Sequence, residues 1–359
     1  MEKPILAAML SCSSTELNDS EKHLFSRYNP IGVTLFGTNI RDKNQLKKLI
    51  SSIKEVIGRD DVLIAVDQEG GRVRRLVEPE FRSYLSQKNL GSLDEQDAVN
   101  ASRCHAALIS RDLKELGINW NYAPVLDIAF PNTTAALLSR CFGSDEKKTA
   151  LLGQTIVEEY IRNGICPCIK HIPGHGRASV DPHLHLPVLN YSLKDLEKDF
   201  YPFQQLKDSP AGMTAHIVIP EVDPEFPVTQ SAKAIQTIIR GIIGFEGFLI
   251  SDAIDMKALK GSIGEKAQAS LAAGCDAVCY CLGDAAEMQE VCTHARVLSD
   301  KSMIRFAKIK NIINNTSKYT TDFSKMEAEY EHLAGKAEKY IETYDATEVL
   351  HQPKNKYGD

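Results

Sequence analysis

Eight apolar, strand-like runs alternate with helix-like stretches along most of this chain, and that alternation restricts the fold more than any other feature of the sequence. The runs cover residues 4–10, 31–36, 62–66, 121–126, 164–169, 211–215, 247–250 and 276–280. Behind the second run, Asp42 caps a helix whose Leu46, Leu49, Ile50, Ile53 and Ile57 fall on one face, and Gly58 closes it. Ser92 and Glu95 read as a capping box before a long helix that ends near Leu116 and Gly117. Further helical stretches span residues 147–163, 193–206, 232–243 and 265–273. Strands alternating with helices imply a parallel sheet, and eight units imply closure: an α/β fold, a (β/α)8 TIM-type barrel in a single domain, with an irregular strand or two. A doubly wound open sheet is the alternative, but no GxGxxG follows the first strand to suggest a dinucleotide site. The barrel is expected over residues 1–315. Residues 316–359 read as a charged, partly helical extension with a frayed end.

The ends of these runs carry the chemistry. Val66 is followed by Asp67, Gln68, Glu69, Gly70, Gly71 and Arg72; Leu126 by Asp127; Ile169 by Lys170 and His171; Ala215 by His216; Ile250 by Ser251 and Asp252. In a parallel barrel the C-terminal strand ends share one mouth, so these side chains converge. One strand ending in Asp is usually a turn or a cap, whereas five such ends are hard to explain that way. The densest stretch is KHIPGHGRASVDPHLHLPV, residues 170–188, which places four histidines, a lysine and an aspartate after an apolar run. Within it Asp181 stands two residues from His183, close enough for the carboxylate to fix the imidazole tautomer and favour its protonated form. Such a histidine donates a proton near neutral pH and takes one back. Asp252, closing an apolar run, is the matching nucleophile candidate. A carboxylate facing an imidazole donor across a sugar-sized gap suits double displacement at an acetal carbon.

Bulk properties narrow the field. The 359 residues carry a net charge of -6, with 43% hydrophobic and 25% charged residues, the profile of an ordinary globular protein. There is no basic footprint for nucleic acid, and no apolar run is long enough to span a bilayer. The nine cysteines are odd in number and show no CxxC. Cys166 with Cys168, and Cys279 with Cys281, sit two apart inside apolar runs and so point the same way from strands. Free buried thiols in a reducing cytosol are the plain interpretation. Residues 4–12 resemble a short signal segment only weakly, and a first barrel strand explains them better.

Taken together, the motifs resemble those of β-N-acetylhexosaminidases of glycoside hydrolase family three, of the bacterial cytoplasmic type active in peptidoglycan recycling. The resemblance is carried by LFGTNI (35–40), VDQEGGRVRR (66–75), NYAPVLDI (121–128), LSRCFGSD (138–145), KHIPGHG with DPHLHLP (170–187) and ISDAIDM (250–256). It implies a retaining exo-acting enzyme that removes terminal N-acetylglucosamine, with Asp252 as nucleophile, His183 as acid/base on a loop, and Asp181 as its orienting partner. Asp67, Arg75, Arg140, Lys170 and His171 match the residues that bind the terminal sugar. Asp67 can accept from hydroxyls there, while the cationic and imidazole groups donate. Glu69 and Arg72 are expected to brace the loop, and His175 and His216 to support the pocket. No metal or organic cofactor is implied; the partner is a small carbohydrate, not nucleic acid or membrane, and the location is cytoplasmic.

The sequence departs from the family at Pro182, where serine is usual, at Ile172, where phenylalanine is common, and at Thr38, where arginine is common. Proline fixes φ and stiffens the His183 loop. An uncharged imidazole base tolerates phosphate as acceptor, so an N-acetyl-β-glucosaminide phosphorylase is an alternative. A β-glucosidase of the same family is disfavoured by the DxH loop. From a different class, the crowding of His171, His175, His183, His185 and His216 raises a metal-dependent barrel hydrolase, against which stands the cationic Lys170. A non-catalytic sugar-binding barrel is disfavoured because every expected chemical residue is present.

Overall fold

The computed structural model describes residues 3–180, 185–314 and 322–338. Its sheet runs in the order β5-β4-β3-β2-β1-β9-β8-β7-β6, with every neighbouring pair parallel. The strands are β1 (Leu6–Ser11), β2 (Pro30–Leu35), β3 (Leu63–Val66), β4 (Trp120–Asn121), β5 (Cys166–Pro167), β6 (Ile169–Ile172), β7 (Ala211–Thr214), β8 (Phe248–Ala253) and β9 (Ala277–Cys279). The two ends of this order, β5 and β6, are one stretch of chain broken only at Cys168, so the sheet closes through its own backbone. Three hydrogen bonds seal the join: the Cys168 N–H donates to the Ala123 carbonyl at 3.0 Å, the Lys170 N–H to Pro124 at 3.2 Å, and the Leu126 N–H to Lys170 at 2.7 Å. The eight expected runs are therefore present, and the ninth strand comes from the split fifth. β4 is shorter than the pattern over 121–126 suggests: Pro124 has no N–H to give, and regular pairing is replaced there by single bonds until the bridge between Val125 and Lys170.

Strands covered on both faces read as near-continuous apolar runs, and β1, LAAMLS, is buried throughout. Inside the barrel Trp120 packs edge-on against Tyr122 and Phe248, with ring centroids 5.3 and 6.1 Å away. Around it lie α1 (Asp19–Tyr28), α2 (Lys43–Ile57), α3 (Gln87–Ser92), α4 (Glu95–Leu116), α5 (Ala135–Leu138), α6 (Glu146–Arg162), α7 (Glu197–Gln205), α8 (Ala232–Ala234), α9 (Ile263–Ala273), α10 (Ala285–His294), α11 (Asp300–Asn314) and α12 (Phe323–Ala334). Asp42 caps α2 by accepting from the Gln45 N–H, and Gly58 and Gly117 end α2 and α4 in the left-handed region at φ 76° and 87°.

Two expectations about helices need correction. Ser92 is the last residue of α3 and does not cap α4; Asp94, a stronger acceptor one residue from the helix start, takes the Asp97 N–H instead. The helix expected over 232–243 is α-helical for one turn only and continues as a π-helix, Ile235–Ile242, while still burying Ile235, Ile238 and Ile239. The expected boundary after residue 315 falls outside the described residues. Beyond it α12 packs on α4, and its Tyr330 hydroxyl accepts from the Leu85 N–H at 2.8 Å.

Candidate active site

Strand β3 delivers Asp67 and, two residues on, Glu69; β6 delivers Lys170 and His171; the turn after α5 delivers Arg140. Lys170 and His171 lie inside β6 and not at the start of the loop, because the strand runs on to Ile172, three residues beyond the apolar run. Lys170 is 2% exposed, and its ammonium donates to Asp67 Oδ1 at 2.8 Å and pairs with Glu69 Oε1 at 2.6 Å. Arg140 grips Glu69 with two bonds, Nε to Oε2 at 2.9 Å and Nη2 to Oε1 at 2.8 Å. Arg75 reaches Asp67 at 3.4 Å and lies over the Phe36 ring. Two carboxylates thus sit among three cations in a nearly dry setting. Burial alone would raise both acids, but Lys170 and Arg75 hold Asp67 far below the usual carboxylate range, and Arg140 and Lys170 hold Glu69 near 2. Glu69 bridges the cations behind the pocket, in keeping with the bracing role expected of it. Arg72 donates to the Ala136 carbonyl and ties the same loop to α5.

Asp127 is the organiser that strand-end counting noticed without assigning a role. It is fully buried after Leu126 and accepts from His171 Nδ1 at 2.6 Å and from the His175 N–H at 2.6 Å. Burial opposes its ionisation, but the facing His171 ring keeps its carboxyl low. The Nδ1 contact fixes the tautomer: the neutral ring of His171 donates to Asp127 and turns Nε2 as an acceptor toward Arg140 Nη2, 3.4 Å away. His175 stacks edge-on against His171 at 6.0 Å, and burial holds its ring neutral, near 4. Its Nε2 has no hydrogen-bond partner among the described residues.

Across the barrel, β8 carries Asp252 at its penultimate position, inside the strand and not after it. Its Oδ1 accepts from the Ala253 N–H at 2.8 Å, and its own N–H points at Thr214 Oγ1 at 3.4 Å. His216, fully buried after β7, lies 3.0 Å by Nε2 from the Ala253 carbonyl and 2.7 Å by Nδ1 from Thr229 Oγ1, so it steadies the strand that presents Asp252. One pocket is lined by Asp67, Arg75, Arg140, Lys170, His171, His175 and Asp252, together with Tyr122, Met213, Met256, Cys279 and Cys281. The last five were not assigned to a pocket from the sequence, where Cys279 and Cys281 read as buried thiols, Tyr122 and Met256 as parts of longer motifs, and Met213 as core. The spacing of Cys279 and Cys281 was the available signal. Asp181 and His183 lie outside the described residues. Among the described residues no three His, Cys, Asp or Glu side chains gather as a metal-binding group, and no helix is long and apolar enough to cross a membrane.

Acids and cations converging on one pocket at the C-terminal mouth of a closed parallel barrel define a barrel enzyme. Residues 6–312 match the glycosyl hydrolase family 3 N-terminal domain. A beta-hexosaminidase of Bordetella avium is 33% identical over 281 residues, covering 76% of this chain and 79% of the relative. One from Pseudomonas aeruginosa is 32% identical over 282 residues, covering 76% and 81%. Among solved structures, NagZ from Neisseria gonorrhoeae in complex with N-trifluoroacetyl-D-glucosamine superposes with a TM-score of 0.81 at 29% identity, over 92% of this chain and 98% of that one. The chain belongs to glycoside hydrolase family 3 and is a glycoside hydrolase.

Proposed function

We propose that this enzyme is a retaining exo-β-N-acetylglucosaminidase that works on small carbohydrates, with Asp252 as nucleophile. The observation that carries the reading is the placement of Asp252 on the same pocket as the Asp67, Arg75, Arg140, Lys170 and His171 cluster. Lys170 has three N–H donors and gives two to Asp67 and Glu69, leaving one for a sugar oxygen. Asp67, kept ionised by its cations, accepts from hydroxyls. Arg75 and Arg140 add donors. The choice of N-acetylglucosamine is supported by relatives named as hexosaminidases and by a neighbour that binds an N-acylglucosamine.

In the first step Asp252 attacks the anomeric carbon while His183, oriented by Asp181, donates to the departing oxygen. In the second, His183 takes a proton from the water that releases the sugar. The roles of Asp181 and His183 rest on the family motif. Cell-wall fragments as natural substrate and the cytoplasm as location rest on the same resemblance. The test is a panel of aryl β-glycosides assayed with and without phosphate. Turnover of the N-acetylglucosaminide at least about 100-fold above the glucoside is expected, with free sugar as the product. Preference for the glucoside would overturn the substrate, and a sugar 1-phosphate product would replace hydrolysis by phosphorolysis.

A further inference from the structure

The pocket has a second chemical character that sugar binding does not use. β9 ends at Cys279, and Cys281 follows two residues later, the period that returns a side chain to the same face of an extended chain. Their sulfur atoms are 3.6 Å apart. All nine cysteines are free and buried, yet only Cys279 and Cys281 among them line the pocket, and Met213 and Met256 line it too. The floor beside Asp252 is thus built from two thiols and two thioethers.

We propose that this floor is a binding site for one thiophilic monovalent d10 cation of the Cu+/Ag+ type, held by the sulfurs of Cys279 and Cys281 with Met213 and Met256 as neighbours. Sulfur spacing supports it. Metal–thiolate bonds of about 2.3 Å at a tetrahedral angle put two sulfurs about 3.8 Å apart, close to the separation already present. Donor type supports it as well, since thiolates and thioethers select soft cations over hard ones. The other polar atoms at Cys279 Sγ are the neutral hydroxyls of Thr34 at 3.7 Å and Tyr122 at 3.8 Å, which are poor ligands for such an ion. Binding forms metal–sulfur bonds and breaks S–H bonds, and the thiol protons leave to solvent; nothing is oxidised or reduced. A cation here occupies part of the pocket that holds Asp252. The site rests on geometry alone and does not depend on which sugar the enzyme takes.

Silver ion is the probe, since it mimics Cu+ without redox chemistry. Native mass spectrometry of the full chain is expected to show one tightly held Ag+, and turnover is expected to fall in step with its uptake. Cys279→Ser, which keeps a hydroxyl beside Thr34 and Tyr122, is expected to lose Ag+ affinity by about 100-fold or more. Unchanged Ag+ affinity in that variant overturns the proposal. Silver-edge X-ray absorption on the unmutated protein gives an independent decision should the variant not fold. A shell of sulfur alone supports the site, and nitrogen or oxygen ligands, or no retained silver, overturn it. Were no aryl glycoside turned over, the reading of function would fail while the mass and absorption measurements still decided the site.

Discussion

The two walls of the pocket handle negative charge in opposite ways. On the β3–β6 wall the buried carboxylates of Asp67, Glu69 and Asp127 each face a cation or an imidazole, and their acidity is strengthened despite burial. On the β8–β9 wall Asp252 stands among Ala253, Met213, Met256, Cys279 and Cys281, and behind it Asp255 is pushed up to about 6 by burial, with one oxygen unpartnered among the described residues. The first wall is a rigid array of fixed charge that presents donors and acceptors without changing protonation. The second carries Asp252, the proposed nucleophile, which would give up its charge on bonding to carbon. The largest expected effect tests that division. Asp252→Asn should cut kcat by at least about 10³-fold while leaving the far-UV circular dichroism spectrum unchanged, since losing a nucleophile costs on that scale. Retained turnover would move the chemistry to another group.

A single chemical change, carboxylate to amide, should have opposite signs on the two walls. Glu69→Gln leaves Lys170 and Arg140 buried with one counter-charge fewer, and breaking a buried pair in this way costs about 3–5 kcal/mol. Urea unfolding at pH 7 measures it. Asp255→Asn removes an acid that the fold disfavours and keeps the Oδ1 acceptor for the Cys281 N–H, 2.9 Å away. Asp255 has a folded pKa near 6 against an ordinary value near 3.8, so the native state holds the proton longer than the unfolded chain. Its ionisation therefore subtracts stability as pH rises from about 4 to about 6. Replacing it should raise stability at pH 7 by up to about 3 kcal/mol, and the gain should vanish near pH 4. The histidines run the other way: burial holds His105 and His175 near 4, so they cost stability as pH falls from about 6.5 to 4. These opposing slopes flatten the wild-type profile over this range. The Asp255→Asn profile should tilt, losing stability toward acid. A parallel shift at all pH values would show that the effect is packing and not charge.

The contrast between the walls was only half visible in the sequence. Parallel strands covered on both faces read as unbroken apolar runs, so β1, β2, β3, β7 and β8 were legible, and the polar residues after them pointed to one mouth. The break at Cys168 was not, because Pro167 and Cys168 sit in a run that looks continuous. The capping box at Ser92 misled because the Ser-x-x-Glu spacing is common and Asp94 competes with it from closer by. The charged wall was legible because charges stand out against apolar neighbours, although the tautomer that turns His171 toward Arg140 depends on Asp127 in three dimensions. The sulfur wall was hidden, since Cys and Met inside apolar runs are indistinguishable from core until the pocket is seen beside them.

The smallest effect concerns how the charged wall is held from outside. Tyr330 on α12 accepts from the Leu85 N–H and lies 3.4 Å from His105 Nδ1, while His105 Nε2 lies 3.0 Å from the Glu69 carbonyl. One tautomer satisfies the chain: the tyrosine hydroxyl donates to Nδ1, and Nε2–H donates to Glu69. A helix far along the sequence thereby steadies the loop that carries Asp67 and Glu69, whereas Asp252 is braced locally by His216. Tyr330→Phe leaves the ring packed but orphans the Leu85 N–H and weakens the orientation of His105, at a cost of about 1–2 kcal/mol. If α12 only covers α4, that loss of stability is the whole effect, and KM and kcat stay as they were. If it positions the charged wall, KM should rise by a few-fold with kcat nearly unchanged, because binding through Asp67 and Lys170 would loosen while the Asp252 side kept its own support.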